Sequence, residues 1–185
     1  MIDILKGAGI FVYPLALCSL VAGFIIFERL FSLRRGAIMP VFMVENVVNA
    51  DEVKGNRHSA LGRIIDYFHK HKKDVGAVKA YARLEVNRME RGLVFLEIII
   101  GASPLLGLLG TVTGLVKVFG NISTDTGLPD PSAFTAGIAL ALTTTVIGLA
   151  VAIPCLIANG YLQRRVETYA VQLESLLEQM GIKEG

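Results

Sequence analysis

The stretch FTAGIALALTTTVIGLAVAIPCLIANGYL, residues 134–162, is long, apolar and free of charged side chains. A helix needs about 20 such residues to cross the hydrocarbon core of a bilayer. Residues 9–27 form a second such run, and residues 93–119 form a third with one internal acid. With 53% hydrophobic residues among 185 and a mean hydropathy of +0.58, the chain is too apolar for an ordinary soluble domain. The sequence therefore predicts three transmembrane helices.

The run at residues 9–27 follows Lys6 and has a signal peptide as its alternative interpretation. It is longer than the apolar region of a signal peptide, which has about 7–15 residues. Arg29, Arg34 and Arg35 follow it closely, and translocation of such a basic flank is unfavourable. We therefore expect an uncleaved membrane anchor.

Lysine and arginine are distributed unevenly between the connections. Residues 28–92 hold most of the 18 basic residues, whereas residues 120–133 hold none. The positive-inside rule therefore predicts that residues 28–92 and the tail 163–185 are cytoplasmic, and that residues 1–8 and 120–133 face outward. Acids and bases are interspersed along the long loop, so no nucleic-acid partner is expected.

The cytoplasmic loop contains two segments with helical periodicity, separated by HKKDVG at 71–76. The apolar stripe comprises Leu61, Ile64, Ile65 and Phe68, and then Val75, Val78, Ala82, Val86 and Met89. Spacings of three and four residues predict one buried face on each helix. We expect the second helix to run into the second span without a break. A further short helix is expected near residues 41–48.

The C-terminal tail has a regular apolar repeat with polar residues between its members. The repeat comprises Leu162, Val166, Tyr169, Leu173, Leu176 and Met180. Spacings of four and three residues predict an amphipathic continuation of the third span that ends at Gly181. We expect it to pack against the loop helices of the same chain, with an independent coiled coil as the alternative.

Small side chains recur along the second and third apolar runs. On the second they are Ser103, Gly107, Gly110 or Thr111, and Gly114, and on the third Gly137, Ala141, Thr145, Gly148, Ala152, Cys155 and Asn159. Helices in lipid approach closely where side chains are small, because hydrophobic burial adds little there. The two faces either pack on each other or form a surface shared with other chains.

Threonines lie near the middle of both runs. Thr143 to Thr145 fall close to the centre of the third span, and Thr111 falls a few Å outward of the centre of the second. Such hydroxyls either bond a carbonyl of their own helix or hold water or a partner's polar group. Neither stripe has an Asp, Glu or His at this depth. Glu97 lies about 16 Å before Leu108 along the helix, near the cytoplasmic interface. A proton crossing here would need an acid from another chain.

The sequence has no constellation typical of an enzyme. It contains no nucleophile and base pair, no metal-ligand cluster and no phosphate-binding loop, so no catalytic residue, metal or cofactor is expected. Cys18 and Cys155 fall inside predicted spans, where cysteine acts as a small apolar side chain.

Three segments resemble the MotA/TolQ/ExbB proton channel family. They are ASPLLGLLGTVTGLVKVF at 102–119, GIALALTTTVIGLAVAIPCLIANGYL at 137–162 and ERL at 28–30. Three predicted spans and an outward N-terminus are similar to the TolQ/ExbB branch. The fold expected is all-α: a three-span membrane protein with long helices that extend into the cytoplasm.

The resemblance implies a homopentamer in the lipid bilayer of the bacterial inner membrane, with a pore lined by the second and third helices. It implies a dimeric ExbD/TolR-like single-span partner with one Asp on each membrane helix. Proton flow would then drive motion of the partner and energise envelope processes or transport. The alternatives are a structural or scaffolding membrane protein, and a Na⁺-driven or MotA-like stator.

The family's pore threonines fall on Thr111 and Thr145. The residues expected to line the ion pathway are Thr111, Thr145, Thr144, Gly107, Gly110, Gly114, Ala141, Gly148 and Ala152, with Glu97 as a candidate acid on the cytoplasmic side. Leu140 stands where ExbB-type members commonly carry a Glu, which weakens the case for an acid supplied by this subunit.

Overall fold

The computed structural model describes residues 9–40, 42, 44–45, 59–71, 74–120 and 131–179. The predictions for residues 1–8, for most of the 120–133 connection, for most of the short helix at 41–48 and for Met180 and Gly181 lie outside these ranges.

The regular structure of the described residues is helical throughout. A 3₁₀ turn at Gly9–Phe11 precedes α1, Val12–Ser32, and the other helices are α2, Arg35–Ile38, α3, Ala60–Lys70, α4, Val75–Glu90, α5, Leu93–Gly120, and α6, Pro131–Gln179. Helical stretches that contain α1, α5 and α6 are long and apolar enough to cross a membrane. The prediction of an all-α fold with three helices able to span a membrane is confirmed.

The chain divides into two compact units. The first, which we call the apolar unit, comprises Met1–Ile26 and Phe95–Asn159. The second, which we call the amphipathic unit, comprises Phe27–Val94 and Gly160–Gly185. Both α5 and α6 contribute residues to each unit, so the division follows the change from apolar to amphipathic sequence along these helices.

The third apolar run and the C-terminal repeat form one helix. α6 extends over 49 residues and includes Pro154 in its interior. It begins at Pro131, three residues before the predicted start, because the first turn of a helix tolerates a residue without an N–H. The predicted continuation of the third span into an amphipathic helix is confirmed within the described residues.

The joint between α4 and α5 differs from the prediction. α4 ends at Glu90, and Gly92 adopts a φ of 99° before α5 begins at Leu93. This left-handed conformation ends a helix and is adopted readily only by glycine. The predicted unbroken helix from the loop into the second span is therefore wrong, and a two-residue turn separates the two helices.

Side chains cap the two loop helices at their N-termini. The Ser59 hydroxyl accepts a hydrogen bond from the Gly62 amide at 3.1 Å, and the Asp74 carboxylate accepts one from the Ala77 amide at 2.9 Å. These bonds satisfy amides that have no partner within the first turn of a helix. The caps set where α3 and α4 start, and α3 packs against α4.

The core of the amphipathic unit uses most of the predicted apolar faces, although Val75 is exposed and Phe68 is half-buried. The buried residues include Leu61, Ile64 and Ile65 of α3, Val78, Ala82 and Met89 of α4, and Leu162, Val166, Tyr169, Leu173 and Leu176 of α6. In α4 the buried position predicted for Val86 is taken by Glu85, whose side chain is fully buried. Val86 is half-buried instead.

A hydrogen bond ties the C-terminal part of α6 to the long loop. The Tyr169 hydroxyl donates to the Leu33 carbonyl oxygen at 3.1 Å. Because Tyr169 is buried, this bond satisfies a phenol that is removed from water. The tail therefore packs against the loop of its own chain, as expected.

Candidate functional site

Backbone of α5 contacts backbone of α6 at several glycines in the apolar unit. A Cβ atom on Gly107 would lie 2.9 Å from the Thr144 carbonyl oxygen, and one on Gly114 would lie 2.6 Å from the Gly137 carbonyl oxygen. Real Cβ atoms essentially never come within 3.0 Å of such an atom. Any larger side chain at these glycines would therefore separate the two helices.

The same close approach continues towards the other end of the contact. A Cβ atom on Gly148 would lie 2.6 Å from the Ser103 carbonyl oxygen, and one on Gly110 would overlap the Thr144 side chain. Contacts that advance along α5 move backward along α6, so the two helices are antiparallel. They form a hairpin whose contact is made by small residues.

The buried residues of the hairpin follow one face of each helix. On α5 they are Leu96, Ile99, Ser103, Gly107, Gly110, Gly114 and Val118, and on α6 they are Gly137, Ala141, Thr144, Gly148, Ala152, Cys155 and Asn159. Successive members are three or four residues apart, as expected for one face of a helix. The α6 face is the predicted small-residue stripe with Thr144 in place of Thr145.

Thr144 lies inside the hairpin, whereas Thr111 and Thr145 lie at its border. Thr144 is 0% exposed, and its hydroxyl donates to the Ala141 carbonyl oxygen at 3.0 Å. Thr111 and Thr145 are both half-buried. The border position leaves part of each side chain at the surface of this chain, where another chain can reach it.

The two border threonines use their hydroxyls differently. Thr111 donates to the Leu108 carbonyl oxygen of its own helix at 2.6 Å. Thr145 donates across the hairpin to the Gly107 carbonyl oxygen at 3.4 Å, which is long for a hydrogen bond from a hydroxyl. A short bond within the helix occupies the Thr111 proton, while the Thr145 hydroxyl is held weakly and can turn to another partner.

The threonine layer has no ionisable side chain from the two helices of the hairpin. Residues 98–116 and 131–163 contain no Asp, Glu, His, Lys or Arg. Glu97 and Lys117 flank the first of these segments, and both are exposed. Glu97 lies about 15 Å before Gly107 along the helix, so the structure does not bring it to the threonines.

Contacts within one chain account for most of the small residues expected to line an ion pathway. Gly107, Gly110, Gly114, Ala141, Thr144, Gly148 and Ala152 are buried in the apolar unit of the single chain. Packing of α5 on α6, one of the two alternatives from the sequence, is what their neighbours show. A role of these residues in an ion pathway stays a prediction.

The amphipathic unit contains a buried ion-pair cluster that sequence reasoning missed. The Arg63 guanidinium donates from Nε and Nη2 to the Glu85 carboxylate at 3.1 and 2.6 Å, and Arg88 Nη1 donates to it at 2.7 Å. Glu85 lies three residues after Ala82 and four before Met89, on the apolar face of α4. An acid at such a position is the signal that a buried partner exists.

The cluster shifts the pKa values of its members. Burial raises the pKa of the Glu85 carboxyl, but the hydrogen bonds from Arg63 and the charges of Arg63 and Arg88 outweigh it and lower that pKa below its usual range. The hydrogen bond to Glu85 raises the pKa of Arg63. Glu85 is therefore ionised at neutral pH and holds α3 and α4 together.

Comparison with known proteins identifies relatives for most of the chain. A family model described as the MotA/TolQ/ExbB proton channel family matches residues 59–175. A putative biopolymer transport protein ExbB-like 1 of Synechocystis sp. is 39% identical over 82% of this chain and 65% of the relative. Biopolymer transport protein exbB1 of Vibrio cholerae is 27% identical over 94% of this chain and 84% of the relative.

These two matches differ in the share of the relative's length that they cover. The chain spans just under two thirds of the length of the cyanobacterial relative and most of the length of the Vibrio relative. With its apolar helices, the chain is a multi-pass membrane protein. It belongs to the MotA/TolQ/ExbB proton channel family, in its ExbB branch.

Proposed function

We propose that this chain is the ring-forming subunit of a proton-driven motor in the bacterial inner membrane. Its partner is a dimeric ExbD/TolR-like single-span protein whose membrane helix carries an Asp. The subunit contributes hydroxyl groups to the proton path, and the partner contributes the acid. The N-terminus faces outward and the C-terminus is cytoplasmic, as the distribution of Lys and Arg favours.

The observation that carries this proposal is the pair of threonines at the border of the hairpin. Thr111 and Thr145 are half-buried, whereas the neighbouring Thr144 is fully enclosed. An ionised carboxylate is unfavourable in hydrocarbon unless polar groups or water surround it. The long Thr145 hydrogen bond leaves a hydroxyl that can turn towards such a carboxylate. Protonation of the partner's Asp would remove its charge and allow it to leave this layer.

The need for a second chain follows from the charges. The hairpin has no acid, base or His between Glu97 and Lys117 or along residues 131–163. A chain of hydroxyls alone supplies no group that titrates near neutral pH. A ring of copies around the partner would present one threonine pair per copy, and five copies is the number that we propose.

Valine at the two border threonines tests the proposal. Valine has nearly the shape of threonine but removes the hydroxyl. The chain is co-expressed with an ExbD/TolR-like partner, the complex is reconstituted in liposomes, and proton flux is measured per complex recovered. We expect Thr145→Val to lower the flux by about tenfold or more, with a smaller loss for Thr111→Val, whose proton is already held within α5.

Two neighbouring threonines serve as matched controls. Thr113 is half-buried on α5 and donates to the Leu109 carbonyl oxygen at 2.8 Å, and Thr143 is half-buried on α6. Each lies two residues from its counterpart, about 200° away around the helix. Wild-type flux in both border variants, or equal losses in the border and control variants, would remove Thr111 and Thr145 from the proton path.

The scaffolding alternative keeps one observation in its favour. The small residues of α5 and α6 are explained by contact within one chain, and such contact needs no pore. Co-purification separates the alternatives. Failure to recover a complex with an ExbD/TolR-like chain favours the scaffold, whereas native mass spectrometry of a recovered complex gives the number of copies and decides whether it is five.

A further inference from the structure

A cavity of about 220 Å³ lies inside the amphipathic unit, beside the ion-pair cluster. Three of its lining residues are arginines, namely Arg29, Arg63 and Arg88. Glu85 and Ser32 also line it. The side chains of Arg63 and Arg88 are 34% and 60% exposed, so Arg29 is the most enclosed of the three.

Carboxylates contact each of the three guanidinium groups. Arg63 and Arg88 share Glu85, and Arg29 Nε lies 3.0 Å from a carboxylate oxygen of the adjacent Glu28.

Arg29 is the least satisfied member of the group. Its side chain is 13% exposed, and the buried Nε has no hydrogen-bond acceptor among the described residues, because the contact with Glu28 lacks hydrogen-bond geometry. Nη1 donates only a long bond of 3.4 Å to the Arg88 carbonyl oxygen. A buried N–H of a charged group without an acceptor is costly and marks a place where an anion would bind.

The position of Arg29 brings it next to a candidate membrane span. It follows the apolar run of α1 by two residues, and Arg88 lies shortly before α5 begins at Leu93. Guanidinium groups at the end of a spanning helix lie at the depth of lipid headgroups, and basic pockets there bind anionic headgroups. The planar fork of arginine fits two oxygens of a phosphate.

We infer that this cavity is a binding site for a phosphate group, held by Arg29 together with Arg88. A phosphate oxygen would accept the hydrogen bond for which Arg29 Nε has no acceptor among the described residues. The phosphate belongs either to an anionic phospholipid headgroup or to a soluble phosphate. The site is separate from the threonine layer and does not depend on the proposed motor function.

Native mass spectrometry of the full chain in detergent tests the inference. Phosphatidylglycerol and phosphatidylcholine are added in separate titrations, and inorganic phosphate is added as a competitor. The variant is Arg29→Gln, and the matched control is Arg34→Gln, which removes the same charge five residues away. Arg34 is exposed, does not line the cavity and lies over the Phe31 ring at 4.1 Å.

We expect phosphatidylglycerol to bind the wild-type chain in preference to phosphatidylcholine. Arg29→Gln should weaken that binding by about tenfold or more, because it removes charge-assisted hydrogen bonds. Arg34→Gln should change it by no more than about twofold, as an exposed charge does. Arg88→Gln, at a more exposed side chain, replaces Arg29→Gln if circular dichroism shows that the latter unfolds the chain.

The competitor distinguishes the two sources of phosphate. Adducts of phosphatidylglycerol that survive excess inorganic phosphate assign the site to a lipid headgroup, and displacement of the lipid by inorganic phosphate assigns it to a soluble phosphate. Equal binding of the two lipids with no phosphate adduct, or equal losses in Arg29→Gln and Arg34→Gln, would overturn the inference.

Discussion

The buried face of α6 changes character between its two halves. In the apolar unit it presents Gly137, Ala141, Thr144, Gly148 and Ala152, and in the amphipathic unit it presents Leu162, Val166, Tyr169, Leu173 and Leu176. The helix is continuous and the spacing of three and four residues is the same in both halves. Only the size of the side chains differs.

The surroundings of each half explain the difference. In water, burial of a large apolar side chain contributes about 25 cal/mol per Å² removed from solvent. In lipid that gain disappears, and helices hold together by close backbone approach, which needs small side chains. The same spacing of buried residues therefore favours large apolar side chains where the helix is in water and small side chains where it is in lipid.

The two units also bury different polar groups. The amphipathic unit encloses a charged carboxylate with two guanidinium groups, whereas the hairpin encloses an uncharged hydroxyl that bonds its own helix. A charge is tolerated where partners reach it from a neighbouring helix. The hairpin face carries hydroxyls, backbone carbonyls and the Asn159 amide but no charged group, so a neutral donor such as Thr144 can be satisfied there.

The largest expected effect is in the amphipathic unit, at Glu85. Replacement by alanine leaves Arg63 without its buried partner, which costs about 3–5 kcal/mol of the free energy of unfolding. Denaturant titration of the full chain in detergent, followed by circular dichroism, measures this loss. Glu90→Ala, at an exposed position of the same helix, should change stability by less than about 0.5 kcal/mol. Equal losses in the two variants would show that the cluster contributes no stability.

Leu173→Ala tests the large half of the α6 face. Leu173 is 2% exposed, so its truncation should lower the free energy of unfolding by about 2–4 kcal/mol through lost burial and a residual cavity. Val171 is 66% exposed on the same helix, and Val171→Ala should be nearly neutral. The same denaturant titration compares them. If both variants were neutral, the C-terminal part of α6 would not be held by apolar burial.

Gly110→Ala tests the small half in the opposite direction, by adding a carbon atom. The new Cβ would overlap the Thr144 side chain, and such overpacking costs about 1–3 kcal/mol. Gly101 is on the same helix with no atom within 4 Å of the added carbon, so Gly101→Ala should be neutral or stabilising. Thermal melts in detergent compare the variants. A stabilising effect at Gly110 would contradict close packing of the hairpin.

The smallest expected effect is a dependence of stability on pH in the amphipathic unit. The lowered pKa of Glu85 means that the unfolded chain binds a proton more readily than the folded one. The stabilisation is present above the unfolded pKa of about 4.3 and is lost as pH falls through the folded pKa. Titration of wild type and Glu85→Gln should show an acid loss that the variant lacks. Parallel pH profiles would refute this assignment.

The helices and their buried faces were largely predictable from the sequence. The repeat from Leu162 to Leu176 and the small residues from Gly137 to Asn159 recur at three and four residues, and the period alone places them on one face. The spacing of three and four residues does not decide whether Thr144 or Thr145 is buried, because both positions fit it. The answer depends on which of the two side chains contacts Gly110, and only the packing of α5 against α6 determines that.

Two features of the amphipathic unit could not be predicted from local pattern. Arg63 and Glu85 are 22 residues apart, and no sequence period links helices that pack against each other. Gly92 gave only a weak signal, since glycine also occurs inside helices, and its positive φ depends on how the chain turns. The abrupt change from charged to apolar sequence at this glycine is the local cue to the turn.

α6 differs from the neighbouring pair α4 and α5 in the continuity of its backbone hydrogen bonds. α6 is continuous over 49 residues, about 74 Å, and its ladder of backbone hydrogen bonds resists twisting along the whole length. Between α4 and α5 that ladder is interrupted at the turn with Gly92, where rotation about single bonds absorbs a twist. The backbone of α6 is therefore stiffer towards torsion than the backbone that joins α4 to α5.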